Sequence, residues 1–308
     1  MKIVVVGTGG VGGYFGGRLA NAGHDVTFIA RGEHLKAIHE KGLTVKSIKG
    51  DFTLDKVKVT DNLNNVGKAD LIILALKAWQ IKPLIGDISN LLKNDTIILP
   101  LQNGITIADE LSEVIPYRHI VGGTCRIISM IESPGVIRHS GVDPVIFFGE
   151  LDKSETSRLQ MLKEIFIKAG IDARATNKID VELWKKFILI CVSGLLAVSR
   201  TTYGQIREIK ETRQLMTDLF NEVYNLSCAA GVEIEDNYVD KVVAAIDTYA
   251  YDSTSSLTRD VLDGKPSEIE YQNGAVVRLA EKLGVDVPVN RFVYSCILPM
   301  EIEARKKL

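Results

Sequence analysis

The sequence predicts an α/β protein in two parts: a parallel-sheet domain over residues 1–177 and an all-helical domain over residues 178–308. Two observations predict it. Through the first half, short β-rich runs alternate with helical patterns, the arrangement that builds a parallel sheet covered on both faces. Beyond residue 177, strand-like alternation becomes scarce and apolar residues recur at helical spacing.

Taken in order, Lys2–Val6 is a β-rich run that stops at glycines, and the helix Gly10–Ala22 follows it. Asp25–Ala30, Asp70–Ala75, Thr96–Leu99 and Ile120–Gly122 read as further strands, with helices at Glu33–Glu40, Ile81–Leu92 and Thr106–Leu111 between them. Gly135–Ser140 and Val145–Phe148 flank Gly141 and Pro144 and read as the two arms of an antiparallel hairpin. Glu155–Ala169 reads as a helix leading into a strand at Ile171–Ala175. In the second half, Ile179–Val198, Thr212–Ala230, Asn237–Tyr249 and Glu268–Leu283 carry the helical period.

Composition narrows the function. The chain is 46% hydrophobic and 25% charged, enough apolar residue for a large core. Lys and Arg number 37 against 39 Asp and Glu, so no basic surface points to nucleic acid. The longest apolar stretch, Phe187–Val198, contains Ser193 and Gly194 and falls short of the roughly 20 residues a membrane span needs. Met1–Val6 runs straight into glycines and does not read as a signal peptide. Cys125, Cys191, Cys228 and Cys296 are far apart, without C-x-x-C or histidine spacing, so neither a disulfide framework nor a metal site is expected. They read as packing residues of a cytoplasmic protein. His24, His34, His39, His119 and His139 are scattered and receive no catalytic role. An isologous homodimer through the helical half is left open.

Gly7-Thr8-Gly9-Gly10-Val11-Gly12 forms a G-x-G-x-x-G pattern directly after a strand and at the opening of a helix, the Rossmann arrangement. Gly7 permits the tight turn, Gly9 lets backbone approach a pyrophosphate, and Gly12 lets helix approach strand. N–H groups at the helix start then hold the anion. The second strand ends in Ala30-Arg31-Gly32. No acid stands there to hold a ribose hydroxyl, and Arg31 is positioned to fork onto a 2′-phosphate, so NADP(H) is the expected cofactor.

Further segments are hard to explain as packing alone: Leu76-Lys77-Ala78-Trp79-Gln80 and Gln102-Asn103-Gly104 at the carboxyl ends of two strands, Trp184-Lys185-Lys186 leading an apolar helix, Ser255-Ser256, and Ser267-Glu268-Ile269-Glu270. With the glycine loop, and in this order, they resemble the ketopantoate reductase family, the 2-dehydropantoate 2-reductases, from Lys2 to about Pro299. The resemblance implies a Rossmann domain plus a helical domain like the C-terminal one of 6-phosphogluconate dehydrogenase. It also implies NADPH-dependent reduction of 2-dehydropantoate to (R)-pantoate, a step towards pantothenate and coenzyme A.

Hydride arriving at a ketone carbon leaves an alkoxide that needs a proton donor, and a lysine on an apolar helix has its charged form disfavoured by desolvation. Spacing does not choose between Lys185 and Lys186, and both could simply snorkel from a helix start. The resemblance chooses Lys186 as the catalytic acid, also in contact with substrate. It places Asn103 beside both cofactor and substrate, Lys77 and Glu268 on the cofactor, and Ser256, with Ser253 in the same turn, on the substrate carboxylate. Ile128 matches a position that meets the cofactor through backbone. Plainer readings stand beside these: Asn103 as a turn-former before Gly104, Ser256 as a helix cap, Glu268 as a first-turn acid, and Lys77 as an exposed helix-start cation.

One departure bears on the substrate. Ile190 and Gly194 occupy positions where many family members carry asparagines that bind substrate. Either Ser193 and the Ser253–Ser256 cluster take over, or the substrate is another 2-oxo acid. Other readings are an oxidative β-hydroxyacid dehydrogenase and a non-catalytic NADP(H) sensor. Arg31→Ala is expected to weaken NADPH far more than NADH in direct titrations, and an equal loss for both would remove the 2′-phosphate role.

Overall fold

In the computed structural model, which describes residues 1–307, the first strand lies at the centre of a five-stranded parallel sheet. This strand, β1 (Lys2–Val6), is fully buried from Ile3 to Val6, as befits a strand covered on both faces. It is followed by α1 (Gly10–Asn21), β2 (Asp25–Ile29) and α2 (Gly32–Lys41). The chain then leaves for a second sheet with β3 (Leu43–Ser47) and β4 (Phe52–Leu54), and returns as β5 (Lys58–Thr60). Next come β6 (Leu71–Leu74), α3 (Ile85–Ser89), β7 (Ile97–Pro100) and α4 (Ile107–Ser112). The order β5-β2-β1-β6-β7 has the chain turning to opposite sides of β1, which marks the carboxyl end of β1 as the ligand crevice.

The second sheet is mixed. A long antiparallel ribbon of β8 (Val121–Ser133) and β9 (Val136–Glu150) is joined, after α5 (Ser157–Lys168), by β10 (Asp172–Ala175). β9 runs parallel to β3 near its start and parallel to β10 near its end. Of the two expected arms, Gly135–Ser140 and Val145–Phe148, all but Gly135 therefore belong to one strand, and they are not two arms of a hairpin. The actual turn is at Pro134-Gly135, and Gly141 and Pro144 are carried within β9. The single helix expected over Ile81–Leu92 is broken into a 3-10 turn at Lys82–Leu84 and the short α3, because Pro83 stands at the start of that turn.

The helical part comprises α6 (Ile179–Ile190), α7 (Val192–Ser199), α8 (Tyr203–Glu208), α9 (Lys210–Ala229), α10 (Tyr238–Asp247), α11 (Ser256–Leu262), α12 (Asn273–Leu283) and α13 (Pro288–Arg305). Residues Met1–Gln102 and Ile107–Ile179 make one compact unit, and Asn103–Thr106 with the chain from Asp180 onward make the other. Each has its own core. The sheet unit buries Phe15, Phe28, Phe148 and Phe166, and the helical unit Phe187, Met216, Leu219 and Phe220. Of the cysteines, Cys125 and Cys191 are buried, whereas Cys228 and Cys296 are exposed on outward helix faces and are not packing residues.

The helical period over Ile179–Val198 is interrupted at Cys191. Asn273 Nδ2 donates to the Cys191 carbonyl at 3.0 Å, entering the ladder where α6 gives way to α7. That amide is held from behind. Asn273 Nδ2 also donates to Asn290 Oδ1 at 2.9 Å, and Asn290 Nδ2 to Glu222 Oε2 at 2.7 Å. The buried Glu222 carboxylate accepts the N–H groups of Val289 and Asn290 as well, capping the start of α13 from α9.

Close approach of α1 to its sheet rests on Gly12. A Cβ there would stand 2.0 Å from the Gly7 carbonyl oxygen and 2.9 Å from Val5 Cγ1. Gly12→Ala would gain about 1 kcal/mol of helix propensity, but overpacking costs about 1–3 kcal/mol and falls here on backbone that has little freedom to shift. Net destabilisation is expected in thermal or urea unfolding, and a more stable variant would contradict this packing.

Candidate functional site

In the sheet unit the site is built around one carbonyl. Ile29 O, at the end of β2, accepts the N–H of Gly7 at 3.2 Å, the N–H of Thr8 at 3.1 Å and the Thr8 hydroxyl at 2.9 Å. Gly7 has φ +98° and lies against the Leu76 backbone, so a side chain is excluded both by conformation and by space. Thr8 thus shapes the loop, with both its backbone and its side-chain donor bonded to Ile29 O. Gly9 is different: nothing lies within 4 Å of where its Cβ would be. It precedes α1, whose start has no side-chain cap and no acid in its first turn. The N–H groups of Gly10, Val11 and Gly12 have no acceptor within their own helix, an arrangement suited to an anion.

Gly10 is needed for a second approach, from β8. A Cβ on Gly10 would lie 2.2 Å from the Ser129 carbonyl oxygen, and the Ser129 hydroxyl donates to the Gly10 carbonyl at 2.9 Å. Ile128, next to Ser129, is thereby brought to the neighbourhood of the loop, with its side chain 48% exposed. Arg31 is exposed at the N-cap of α2, just beyond β2, and makes no ion pair among the described residues. Lys77 is half-buried ahead of a 3-10 turn after β6, its N–H bonded to Gln80 Oε1 at 3.2 Å. The open face of Gly9, the uncapped helix start and the exposed guanidinium fit the pyrophosphate and ribose end of a dinucleotide.

In the helical unit the structure separates the two lysines that spacing leaves equal. Lys185 Nζ pairs with Glu235 at 2.8 Å and lies 5.4 Å from the centre of the Tyr238 ring. The hydrogen bond from Lys185, with a smaller contribution from Lys241, holds the Glu235 carboxyl down at about 2 against the cost of burial. Lys186 is half-buried on the same helix and has neither ion pair nor hydrogen bond among the described residues. Its ammonium is the one left available for chemistry.

Asn103 and Glu268 come together. Asn103 Nδ2 donates to Glu268 Oε2 at 2.9 Å, and Glu268 is 3% exposed ahead of a 3-10 turn, not on a solvated helix start. Because a carboxylate only accepts, this bond sets which way the Asn103 amide faces. The plainer reading of Asn103 as a turn-former also holds, since Gly104 has φ +102°. In the Ser/Thr-rich turn, the cap of α11 is Ser255, whose Oγ accepts from Thr258 N at 3.0 Å. Ser256 is left exposed, with no hydrogen bond from its side chain among the described residues. Ser253 already donates to Ala250 O at 2.6 Å and can only accept.

The positions that depart from the family pattern are closed. Gly194 is buried, and a Cβ there would lie 2.5 Å from Asn273 Oδ1 and 2.6 Å from Val293 Cγ1. Ile190 packs against the helical core. Ser193 is also buried, and its carbonyl accepts from Thr258 Oγ1 at 2.9 Å, so its side chain is enclosed by the helical core and not presented on an open face. Residues that sequence reasoning passes over are Ser129, whose hydroxyl holds the Gly10 carbonyl, and His34, whose Nδ1 accepts from Gly135 N at the turn of the ribbon. A lone serine and a lone histidine carry no motif, and only pairing across the fold reveals them.

Residues 3–153 match the family described as ketopantoate reductase PanE/ApbA, and residues 178–301 match its C-terminal counterpart. The chain is 28% identical over 304 residues to "Uncharacterized oxidoreductase YkpB" of Bacillus subtilis (strain 168), covering 98% of this chain and 100% of that one. It is 30% identical to a solved 2-dehydropantoate 2-reductase from Porphyromonas gingivalis W83, with a TM-score of 0.84 over 97% of this chain and 99% of that one. A D-mandelate dehydrogenase solved with NADH and anilino(oxo)acetate shares the fold at a TM-score of 0.89 and 24% identity, over 99% of each chain.

The Asn103–Glu268 bond is expected to register in a double-mutant cycle. Asn103→Ala and Glu268→Ala should each lower stability, and the pair should couple by about 1–3 kcal/mol, the range for a hydrogen bond to a charged group. Additive losses in urea unfolding would mean the two side chains do not act together.

Proposed function

We propose that this chain, which belongs to the ketopantoate reductase family, reduces 2-dehydropantoate to (R)-pantoate with NADPH. The observation that carries the reading is the division of labour between neighbouring lysines: Lys185 is tied to Glu235, and Lys186 is not tied. NADPH, when bound, supplies the hydride that reaches the ketone carbon. The chain supplies the rest. Backbone N–H groups from Gly10 to Gly12 hold the pyrophosphate, Arg31 forks onto the 2′-phosphate, and Lys77 adds a cation on the same unit. Lys186 Nζ gives a proton to the ketone oxygen as that oxygen gains negative charge, so the ammonium becomes an amine and the oxygen a hydroxyl. Glu268 orients Asn103, whose remaining amide groups are free to bond cofactor and substrate. The Ser256 hydroxyl donates to the substrate carboxylate.

Nothing in the charge balance favours a nucleic-acid partner. Among the described residues, no helix is long and apolar enough to cross a membrane. We place the reaction in the cytoplasm, with a small 2-oxo acid as the partner.

A second reading, reduction of a different 2-oxo acid, is favoured by the closed positions at Ile190 and Gly194 and by the burial of Ser193. A site built to bond a substrate hydroxyl discriminates by that bond, and these side chains offer none. The fold is also that of an enzyme solved with anilino(oxo)acetate. The test is NADPH oxidation with ketopantoate beside a panel of 2-oxo acids, mandelate's keto acid included. A clear lead in kcat/KM for ketopantoate is expected, and a lead for another acid moves the assignment to that acid. Lys186→Ala should lower kcat by about 100-fold or more with NADPH binding near normal, while Lys185→Ala keeps turnover. Retained turnover in Lys186→Ala would remove it from the role.

A further inference from the structure

We infer that Glu301, on α13, is a positioning residue: its buried carboxylate clamps Ser267 and thereby sets the neighbouring Glu268 against Asn103. The inference rests on the reductase reading above, in which Glu268 orients the Asn103 amide towards cofactor and substrate. Glu301 Oε2 accepts both the N–H of Ser267 at 2.8 Å and its hydroxyl at 2.6 Å. The other carboxylate oxygen, Oε1, forms an ion pair with Arg305 Nε, one turn along the helix, at 2.7 Å. Ser267 and Glu301 are both buried, and a carboxylate is costly there unless its oxygens are used, as they are here. Because a carboxylate only accepts, it commits the Ser267 hydroxyl proton to itself, and the hydroxyl oxygen then accepts the N–H of Ile269 at 3.3 Å. Backbone on either side of Glu268 is thus fixed by one group.

The far end of the same segment is held from the same helix. Tyr294 OH donates to Glu270 Oε1 at 2.9 Å, and Arg278 Nη1, from α12, donates to Glu270 Oε2 at 2.7 Å. Tyr294 and Glu301 lie two turns apart on α13, at the i, i+7 spacing that shares one helix face. Glu268 therefore stands between two anchored points. The Asn103-Gly104 turn meets the held segment twice: Asn103 Nδ2 donates to Glu268 Oε2, and a Cβ on Gly104 would stand 2.7 Å from the Tyr271 carbonyl oxygen. A hydrogen bond weakens steeply as its angle departs from linear, so a Glu268 released at Ser267 stays near Asn103 without holding its amide in one orientation. The consequence falls on the chemistry the amide serves, beyond any loss of stability.

The experiment compares Glu301→Leu and Glu301→Gln with the native chain, each alone and combined with Asn103→Ala, measuring kcat, KM for the preferred 2-oxo acid, and Tm. Glu301→Leu, of similar size but without an acceptor, is expected to lower kcat/KM about tenfold, whereas Glu301→Gln, whose carbonyl still accepts from Ser267, should keep it within about threefold. With Asn103→Ala already present, Glu301→Leu should cost less than about twofold more, since the amide it positions is gone. A lowered Tm with unchanged kcat/KM would assign Glu301 to stability alone and overturn the inference. The same loss in the Asn103→Ala background overturns it too, as does a glutamine variant as impaired as the leucine one. If Glu301→Leu does not fold, Ser267→Ala decides: it removes the clamped hydroxyl alone, and should lower kcat/KM in the native background but not in the Asn103→Ala one. Equal losses in both overturn the link. A native chain that binds NADPH but reduces no 2-oxo acid would instead overturn the reductase reading, and the inference with it.

Discussion

A loop that must touch a ligand with bare backbone has no side chains to hold it in place, and here that constraint is met by the carbonyl of Ile29. Three donors from Gly7 and Thr8 converge on it, at the end of a strand paired directly to β1. One side of the loop is thereby locked to the sheet, and its other side can stay uncovered at Gly9. The glycines at positions 10 and 12 follow from this placement, since α1 must start close to β8 and close to the loop it leaves. The second sheet, which by topology looks like an accessory, is what brings β8 and its serine to the loop.

The helical unit depends on a comparable device. Burying the Glu222 carboxylate is tolerable because it is fully used, by two backbone N–H groups at the start of α13 and by the Asn290 amide. From there Asn290 and Asn273 extend the bonding to the break between α6 and α7. The same Asn273 oxygen crowds Gly194 and excludes any side chain there. A side chain at position 194 is consequently excluded by a structural network, and that exclusion motivates the second reading proposed for its substrate.

Much of the fold is legible along the chain. Lys2–Val6 is read with its true boundaries, because a strand buried on both faces is an unbroken apolar run. The glycine loop is legible because each glycine answers a local geometric demand. The strands β3, β4 and β5 are missed: β4 and β5 have three residues each, and β3 alternates buried and half-exposed positions too briefly to stand out. The ribbon is misread for a related reason. Gly141 and Pro144 are turn residues by composition, but β9 carries them while its two ends pair with different partners. Among site residues, Ser256 looked like a cap until Ser255 took that place, and Glu268 looked like a surface acid until it proved buried against Asn103.

By itself the sequence determined the two-part architecture, the glycine loop between β1 and α1, the absence of an acid at the tip of β2 and the family to which the motifs belong, because these depend on periodicity and on motifs of residues close together in the chain. Only the tertiary structure decided which of two adjacent lysines is available, which serine caps its helix, that Ser193 is buried, and that Ser129 holds the Gly10 carbonyl. Several of those outcomes turn on partners supplied by residues distant along the chain, as with Glu235 for Lys185 and Ser129 for Gly10. A side chain's chemistry is set by the partners that reach it, and only folding brings them there.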